Sequence, residues 1–243
     1  MIVSSEKHKR LHPGSYGARP GRTSTDPPFL STLQIEMAHL SRTSLVNIPN
    51  DATQCYDRIV SNLAMVSCIL HYMPPSAAKC IGSTLRQARY HLKTSLAETT
   101  NYWQHSQDTP IYGTGQGSGI SPGICCVLFS DLFHCHSQIS PISHYECPTR
   151  RIHSTIDNVG FVNNTTTTTN DLCSNPPVSP VQLLLNGQQT LQNWNDYIYI
   201  SGGNLELRKT NVFQLLWTFA SSGHPYLADH SQQSITIQNY SRT

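Results

Sequence analysis

At residues 160–164 the chain reads Gly160-Phe161-Val162-Asn163-Asn164. Residues 156–161 carry enough apolar and extended-favouring side chains to predict a strand, and the two asparagines follow its end. An asparagine side chain offers a carbonyl oxygen but no charge, whereas hard divalent cations are held mainly by carboxylates. The identity of these two residues therefore decides which chemistry this part of the chain supports.

Three further stretches carry motif-like patterns. The first reads Asn50-Asp51-Ala52-Thr53-Gln54-Cys55-Tyr56-Asp57-Arg58-Ile59, with an aspartate at a predicted strand end and an aromatic residue five positions later. The second is a glycine-rich loop that leads into a helix, Gly113-Thr114-Gly115-Gln116-Gly117-Ser118-Gly119-Ile120-Ser121-Pro122. The third is a glycine turn before a lysine, Ser201-Gly202-Gly203-Asn204-Leu205-Glu206-Leu207-Arg208-Lys209. Each pattern alone is common, so their order and spacing carry the weight.

In chain order, residues 50–59, 113–122, 160–164 and 201–209 resemble the first, second, third and fourth palm motifs of reverse transcriptases, the RNA-directed DNA polymerases. The resemblance is closest to those of the non-retroviral retrotransposon type. The resemblance covers residues 44–220. It implies an α+β fold, the ferredoxin-like polymerase palm, with an antiparallel sheet and helices packed on one face. Active members read aromatic-Val-Asp-Asp in the third motif, so the asparagines imply a degenerate active site.

The resemblance also implies a role for each matched residue. Asp51 is the metal ligand, and Lys209 directs a proton or charge toward the leaving pyrophosphate; the two catalytic aspartate positions are occupied by Asn163 and Asn164. Tyr56 matches the aromatic gate that excludes a ribose 2′-hydroxyl, while Gln116 and Gly117 match the nucleotide-facing pair. The implied cofactor is Mg²⁺ or Mn²⁺, and the implied partners are an RNA template, a DNA primer and a deoxynucleoside triphosphate.

Loss of two carboxylates predicts that metal binding is weak or absent and that the polymerase is inactive. Two-metal nucleotidyl transfer requires three carboxylates around two dications, and this chain retains one of the matched set. Two alternatives stay open: a non-catalytic module that binds nucleic acid or protein, and an unselected retroelement fragment. Asp51 alone also fits a turn-forming or helix-capping residue, Tyr56 a core tyrosine and Lys209 a solvated surface lysine.

Length and composition limit the number of domains, the electrostatic field and the cellular location expected for the chain. The 243 residues suffice for one core, and a formal net charge of +2 with 12% charged residues argues against a strong long-range field. The chain lacks a membrane-length apolar run and a signal-peptide core, which predicts an intracellular protein, nuclear or cytoplasmic, with reduced cysteines. Too few residues flank the motifs for the fingers and thumb of the family, so we expect an isolated palm.

Residues 1–28 are predicted to be a disordered basic arm because they mix Lys, Arg, Gly and Pro without apolar periodicity. A helix is expected from about Asp57 to the Pro74-Pro75 pair, and a second from Ser76 as far as Leu96. On this second helix Arg86, Arg89 and Lys93 would form a basic stripe, which could bind nucleic-acid backbone or simply face solvent.

Later elements are expected as follows. Ser121 as N-cap and Pro122 begin a third helix, residues 137–154 are irregular, and the five threonines at 165–169 form a low-complexity connection. Ser179-Pro180 begins a helix of about 20 residues that ends at Gly202-Gly203. Strands are expected at 212–219 and 234–238, with residues 221–243 forming a C-terminal tail or partial strand.

Overall fold

The computed structural model describes the whole chain except residues 54, 109, 116, 142, 148–151, 157, 172–177, 229–233 and 239–243. The fold is mixed α+β, as predicted. Its helices are α1 (Ile2–Lys7), α2 (Asp26–Ser41), α3 (Cys55–Arg58), α4 (Ser61–Leu70), α5 (Pro75–Gln87), α6 (Ser121–Ile139) and α7 (Pro180–Ser201), with a 3-10 helix at Leu207–Lys209.

The strands form one central antiparallel sheet and three two-stranded ribbons. They are β1 (Leu45–Asp51), β2 (Arg89–Tyr90), β3 (Trp103–Gln104), β4 (Ser143–Cys147), β5 (Ile152–Ile156), β6 (Asn158–Phe161), β7 (Asn164–Asn170), β8 (Phe213–Leu215), β9 (Trp217–Phe219) and β10 (Pro225–Leu227). The central sheet has the order β6-β7-β1-β8. The ribbons pair β2 with β3, β4 with β5 and β9 with β10.

One face of the central sheet packs on helices α6 and α7. Val46 and Ile48 of β1 point into this core, where Trp194 of α7 is fully buried among Phe129 and Phe133 of α6. The indole Nε1 of Trp194 donates to Asn50 Oδ1 at 3.1 Å, so the one polar atom of this ring is satisfied inside the core. This contact fixes the end of β1 that carries Asp51.

Pro49 lies within β1 without disturbing its pairing to β7. All seven residues of β1 pair with β7, and Pro49 lies opposite Thr166. The Pro49 carbonyl accepts from Asn211 N on the other side, at 3.0 Å. Because the nitrogen and carbonyl of a strand residue point to the same side, the missing N–H of Pro49 falls on the edge where β8 pairing has already ended.

The threonine run is a strand, and the expectation of a low-complexity connection was wrong. Residues 165–169 form the middle of β7, the strand between β6 and β1. Thr167 is fully buried, and Thr168 Oγ1 donates to Gln34 Oε1 of α2 at 3.3 Å. Threonine is β-branched and favours extended backbone, so a repeat of one such residue forms a regular strand when both of its faces are covered.

Residues 1–28 do not form the predicted disordered arm, because Leu11, His12 and residues 14–17 are buried and α2 begins at Asp26. Gly14 O accepts from Gly160 N, and Gly160 O accepts from Tyr16 N, both at 2.8 Å, so this segment extends the sheet beside β6. Arg19 forms a bidentate ion pair with Glu6 at 2.5 and 2.8 Å. The three arginines of the segment therefore have internal partners, which composition alone does not reveal.

Helix α5 ends nine residues before Leu96, so the basic stripe on its surface does not exist. Only Arg86 lies on α5; Arg89 lies in β2, and Lys93 lies in the following loop. Helical spacing continues to Leu96 in the sequence, but Leu92 and Leu96 are 56% and 94% exposed. Because no surface packs against these two side chains, a longer helix would gain no stability from them. The chain turns back instead and pairs as a ribbon.

Several smaller expectations also changed. The first predicted helix is split into α3 and α4, and residues 137–154 contain the end of α6, β4 and the start of β5 rather than irregular chain. The predicted strand at 212–219 is two strands, β8 and β9, whereas residues 234–238 form none. Helix α7 matches its predicted limits, with Ser179 as N-cap and Gly202 as left-handed C-cap. Across the part of the chain that is described, every helix is too short or too polar to span a membrane.

Candidate functional site: a polar cluster at the end of strand β1

The sheet register brings Asp51 beside both asparagines. Asp51 and Asn164 are directly opposed residues of β1 and β7, and Asn163 occupies the turn that joins β6 to β7. Ala52 N donates to the Asn163 carbonyl at 3.0 Å, which continues the pairing past the strand end. Residues more than a hundred positions apart therefore meet at one corner of the sheet, as the motif resemblance predicts.

The turn before β7 is held in an unusual backbone conformation. Val162 has φ +60°, a left-handed value that a β-branched residue adopts at a cost. Gly17 packs against it so closely that a Cβ there would lie 2.7 Å from Val162 N. The ordered N-terminal segment thus fixes the turn, and the turn fixes where the Asn163 side chain points.

Lys209 reaches the same corner from the 3-10 helix. Glu206 N donates to the Asp51 carbonyl at 2.8 Å, and the Glu206 side chain accepts from Arg208 N to cap this short helix. Lys209 Nζ then donates to Asp51 Oδ2 at 2.7 Å. The hydrogen bond to Asp51 raises the pKa of Lys209, with the charge of Asp51 adding to the effect, so the ammonium form is favoured.

Both carboxylate oxygens of Asp51 are engaged by protein donors. Asn163 Nδ2 donates to Oδ1 at 2.5 Å, and Lys209 donates to Oδ2. The Asp51 side chain is only 10% exposed, while that of Lys209 is 67% exposed. The Lys209 ammonium therefore neutralises the buried Asp51 carboxylate while most of the lysine side chain stays in contact with solvent.

These residues do not fit a pair of magnesium ions. Mg²⁺ requires near-octahedral oxygen ligands, and a two-ion site requires several carboxylates. Here one carboxylate meets an amide N–H and an ammonium group, both of which occupy the positions that a cation would take. No group of three His, Cys, Asp or Glu side chains suited to a metal occurs among the residues whose placement is described.

The glycine-rich loop packs against the segment that follows Asp51. Gly113 N donates to Ile59 O and Thr114 N donates to Tyr56 O, both at 2.8 Å. Gly113 has φ +99°, and a Cβ there would lie 2.6 Å from Tyr56 O, so glycine is required at this position. Ser121 Oγ donates to Thr114 O and Gly115 O at 2.8 and 2.9 Å. It is the first residue of α6 and closes the loop rather than acting as the predicted N-cap.

The predicted nucleotide-facing residues lie around this loop. Gly117 is exposed with φ +89° and open space where a side chain would be, whereas Gln116 lies outside the described residues. Tyr56 is half-buried against the core, and burial raises the pKa of its hydroxyl. Its backbone anchors the loop, so Tyr56 has a structural role whether or not its ring also meets a ligand.

An open groove of about 740 Å³ adjoins the cluster on the sheet face opposite α6 and α7. Asp51, Asn164 and Lys209 line part of it, and apolar side chains line most of the rest, among them Pro27, Ile35, Phe161, Val159, Phe213 and Leu215. Sequence reasoning missed the contribution of α2. The Asp26-Pro27-Pro28 start is a helix signal that could have identified this helix.

The remaining predicted site residues lie elsewhere. Arg86, Arg89 and Lys93 are exposed and belong to α5 and the β2–β3 region, and they make no contribution to the hydrogen bonds around Asp51. The sequence therefore grouped correctly the residues of the first, third and fourth motifs, whose spacing is set by the sheet. It grouped the three cations wrongly, because the helical spacing in the sequence continues beyond the end of α5 at Gln87.

Comparison with known proteins finds a partial likeness to solved structures and no match to a family. No protein-family model matches the chain, and no curated protein matches it either. The chain resembles a solved telomerase from Candida albicans in complex with a TWJ fragment of telomeric RNA, at 13% identity over 87% of this chain and 33% of that one, with a TM-score of 0.49.

Two telomerase structures from Candida tropicalis are similar to the same degree. The apo form truncated from its C-terminal domain gives 15% identity over 79% of this chain and 35% of that one, with a TM-score of 0.47. The form in complex with a TWJ fragment gives 12% identity, 87% and 34% coverage, and a TM-score of 0.49. The chain spans about a third of the length of these telomerases. At TM-scores below 0.5 the likeness supports no conclusion about activity or partners.

Proposed function

We propose that this chain is the palm of a reverse-transcriptase-type polymerase in which the metal site has become a neutral polar cluster, so that it performs no template-directed nucleotidyl transfer. The observation that carries the proposal is that all the motif segments are hydrogen-bonded to the first one. This is an arrangement of four separate stretches, and chance similarity in any one stretch would not produce it.

The contacts run through the first motif and Val60, the residue that follows it. The third motif joins it through Asn163 O and Ala52 N, and the fourth through Asp51 O and Glu206 N. Thr53 N donates to Asn204 O at 2.8 Å, and Val60 N donates to Ser201 O at 2.8 Å. The second motif binds Tyr56 and Ile59 through Gly113 and Thr114. The ferredoxin-like palm implied by the motifs is consistent with this assembly of an antiparallel sheet and helices. The predicted packing of helices on one face only is wrong, because α6 and α7 pack on one face of the sheet and α2 contacts the other.

Inactivity follows from the charges at the cluster. A polymerase site must neutralise a triphosphate and the charge that develops in the transition state, and removing one such stabilising group typically lowers rates by about 100- to 1000-fold. Here two carboxylates are replaced by carboxamides, and the third is bound to Lys209. These residues therefore supply too little negative charge to hold two metal ions.

Primer extension tests the proposal directly. The full chain is incubated with a primed RNA template, deoxynucleoside triphosphates and Mg²⁺ or Mn²⁺, beside the variant Asp51→Asn. We expect no incorporation above that variant. Incorporation that depends on Asp51 would overturn the claim of inactivity.

The palm assignment needs a separate test. In the double variant Asn163→Asp with Asn164→Asp, three carboxylates should meet at the end of β1, and Mn²⁺ binding should appear. If the double variant binds no more Mn²⁺ than the original chain, the motifs do not form a polymerase-type site. A non-catalytic module that binds nucleic acid is the second candidate, and a different surface of the molecule favours it.

A further inference from the structure

The β2–β3 ribbon presents exposed aromatic rings beside cationic side chains. Tyr90 lies directly opposite Trp103 in the ribbon, and Tyr102 precedes Trp103. The three side chains are 39%, 46% and 54% exposed. We propose that this ribbon binds single-stranded nucleic acid by stacking bases on these rings. None of its residues belongs to the Asp51 cluster, so the proposal goes beyond the polymerase assignment and does not depend on it.

The rings are held in place before any ligand binds. The Arg89 guanidinium lies 4.4 Å from the centre of the Tyr102 ring, within the range of a cation–π contact. The His91 ring is tilted against the Tyr102 ring, with the two centres 6.0 Å apart. Cross-strand pairing fixes Tyr90 beside Trp103. A ligand that stacks here therefore meets side chains that have already lost much of their rotational freedom, which reduces the entropic cost of binding.

The charge around the ribbon favours an anionic ligand. Four cationic side chains lie between residues 79 and 105, against one carboxylate, Glu98; they are Lys79, Arg86, Arg89 and Lys93. Four cations less one carboxylate give this segment a formal charge of +3, compared with +2 for the whole chain. Lys93 is 3.8 Å from Glu98 across highly exposed side chains, a contact too weak to neutralise the surface.

Exposed rings together with unneutralised cations favour nucleic acid over an apolar partner. Bases supply flat π-faces that stack on Tyr and Trp, and the backbone supplies phosphates for Arg and Lys. A duplex hides the faces of its bases, so a single strand is the form that can stack. The β9–β10 ribbon provides an internal contrast for Trp103, because its tryptophan, Trp217, is already stacked on His39 with ring centres 4.6 Å apart.

The test measures binding of a fluorescently labelled single-stranded oligouridylate of 12 nucleotides to the full chain by anisotropy at low salt. The variants are Trp103→Leu, which keeps apolar bulk without a ring, and Trp103→Phe, which keeps a π-face. Tyr226→Ala, in the β9–β10 ribbon, is the matched control because Tyr226 is 52% exposed. Circular dichroism of each variant confirms that the fold is retained.

We expect Trp103→Leu to weaken binding by roughly 5- to 100-fold, since one base–aromatic stack contributes about that factor. Trp103→Phe should lose much less, Tyr226→Ala should bind like the original chain, and a duplex of the same length should bind more weakly than the single strand. Equal affinity for all variants, or equal loss in Tyr226→Ala and Trp103→Leu, would overturn the proposal. So would Trp103→Leu retaining full affinity while Trp103→Phe loses it.

Discussion

Replacing Asn163 with aspartate should turn the contact that now stabilises the β1 corner into a repulsion. In the structure Asn163 Nδ2 donates to Asp51 Oδ1 at 2.5 Å, and the Asp51 side chain is largely buried. The variant Asn163→Asp removes this donor and places a second carboxylate against the first. Nothing else about the size or shape of the side chain changes.

The magnitude follows from the distance. Two unit charges about 4 Å apart repel by roughly 4 kcal/mol at an effective dielectric constant near 20. A lost hydrogen bond to a charged group adds about 1.5 to 3 kcal/mol, while rotation of the side chains and the nearby Lys209 ammonium offset part of the sum. We expect a net loss of about 2 to 4 kcal/mol of unfolding free energy at pH 7 without divalent cations.

The loss should depend on pH and on metal. The mutual repulsion raises the carboxyl pKa of the new pair above its unfolded value, so the penalty is absent below about pH 4 and grows as the pH rises through the folded-state value. Mn²⁺ should recover about 2.7 kcal/mol at a concentration one hundred times its dissociation constant.

Urea unfolding measures these effects, at pH 7 with EDTA, at pH 7 with Mn²⁺, and near pH 4. The control is Asn101→Asp, an exposed loop position where the same charge change should alter stability by less than about 0.5 kcal/mol. If Asn163→Asp is as stable as Asn101→Asp at pH 7 without metal, Asn163 does not contact Asp51 and the geometry of the cluster is wrong.

Two further predictions concern the segments that hold the cluster together. Gly202→Ala should destabilise the chain by more than about 3 kcal/mol in urea unfolding, because Gly202 has φ +108° and an added Cβ would lie 1.8 Å from Arg58 O. Gly115→Ala is the control and should lose only about 1 kcal/mol, because Gly115 has φ +76° but open space for a side chain. Equal losses in the two variants would contradict the packing of the fourth motif on α3. Burial lowers the pKa of His12 to about 4. The folded state therefore favours neutral His12, and about 2 to 3 kcal/mol of unfolding free energy should be lost as the pH falls from 6.5 to 4. If the N-terminal segment docks as described, His12→Gln should make the unfolding free energy less dependent on pH over this range.

Sequence reasoning succeeded where a local signal and the tertiary structure agree. Helix α7 has a Ser179 N-cap, a proline in its first turn and Gly202 at its end, and all three are backbone requirements that residue types reveal. The meeting of Asp51 with Asn163 and Asn164 was likewise predicted, because the motif resemblance implies that these strand ends adjoin.

Failures occurred where burial depends on distant partners. The threonine run resembles a low-complexity linker until Gln34 and the neighbouring strands cover it, and the N-terminal segment resembles a disordered arm until Glu6 pairs with Arg19. The helical spacing of Leu92 and Leu96 predicts burial, yet no surface is there to receive them. Such outcomes are set by contacts between residues far apart in sequence, which periodicity does not report.

Loss of the metal site through Asn163 and Asn164 is tested most directly by Mn²⁺ titration, followed by electron paramagnetic resonance, on four chains. They are the original chain, the double variant Asn163→Asp with Asn164→Asp, the double variant with Asp51→Asn added, and the double variant with Lys209→Met added. We expect no specific ion in the original chain and a bound ion in the double variant. That ion should be lost when Asp51 is replaced and should bind more tightly when Lys209 no longer competes for Asp51. Specific Mn²⁺ binding by the original chain, or binding by the double variant that survives replacement of Asp51, would contradict these expectations.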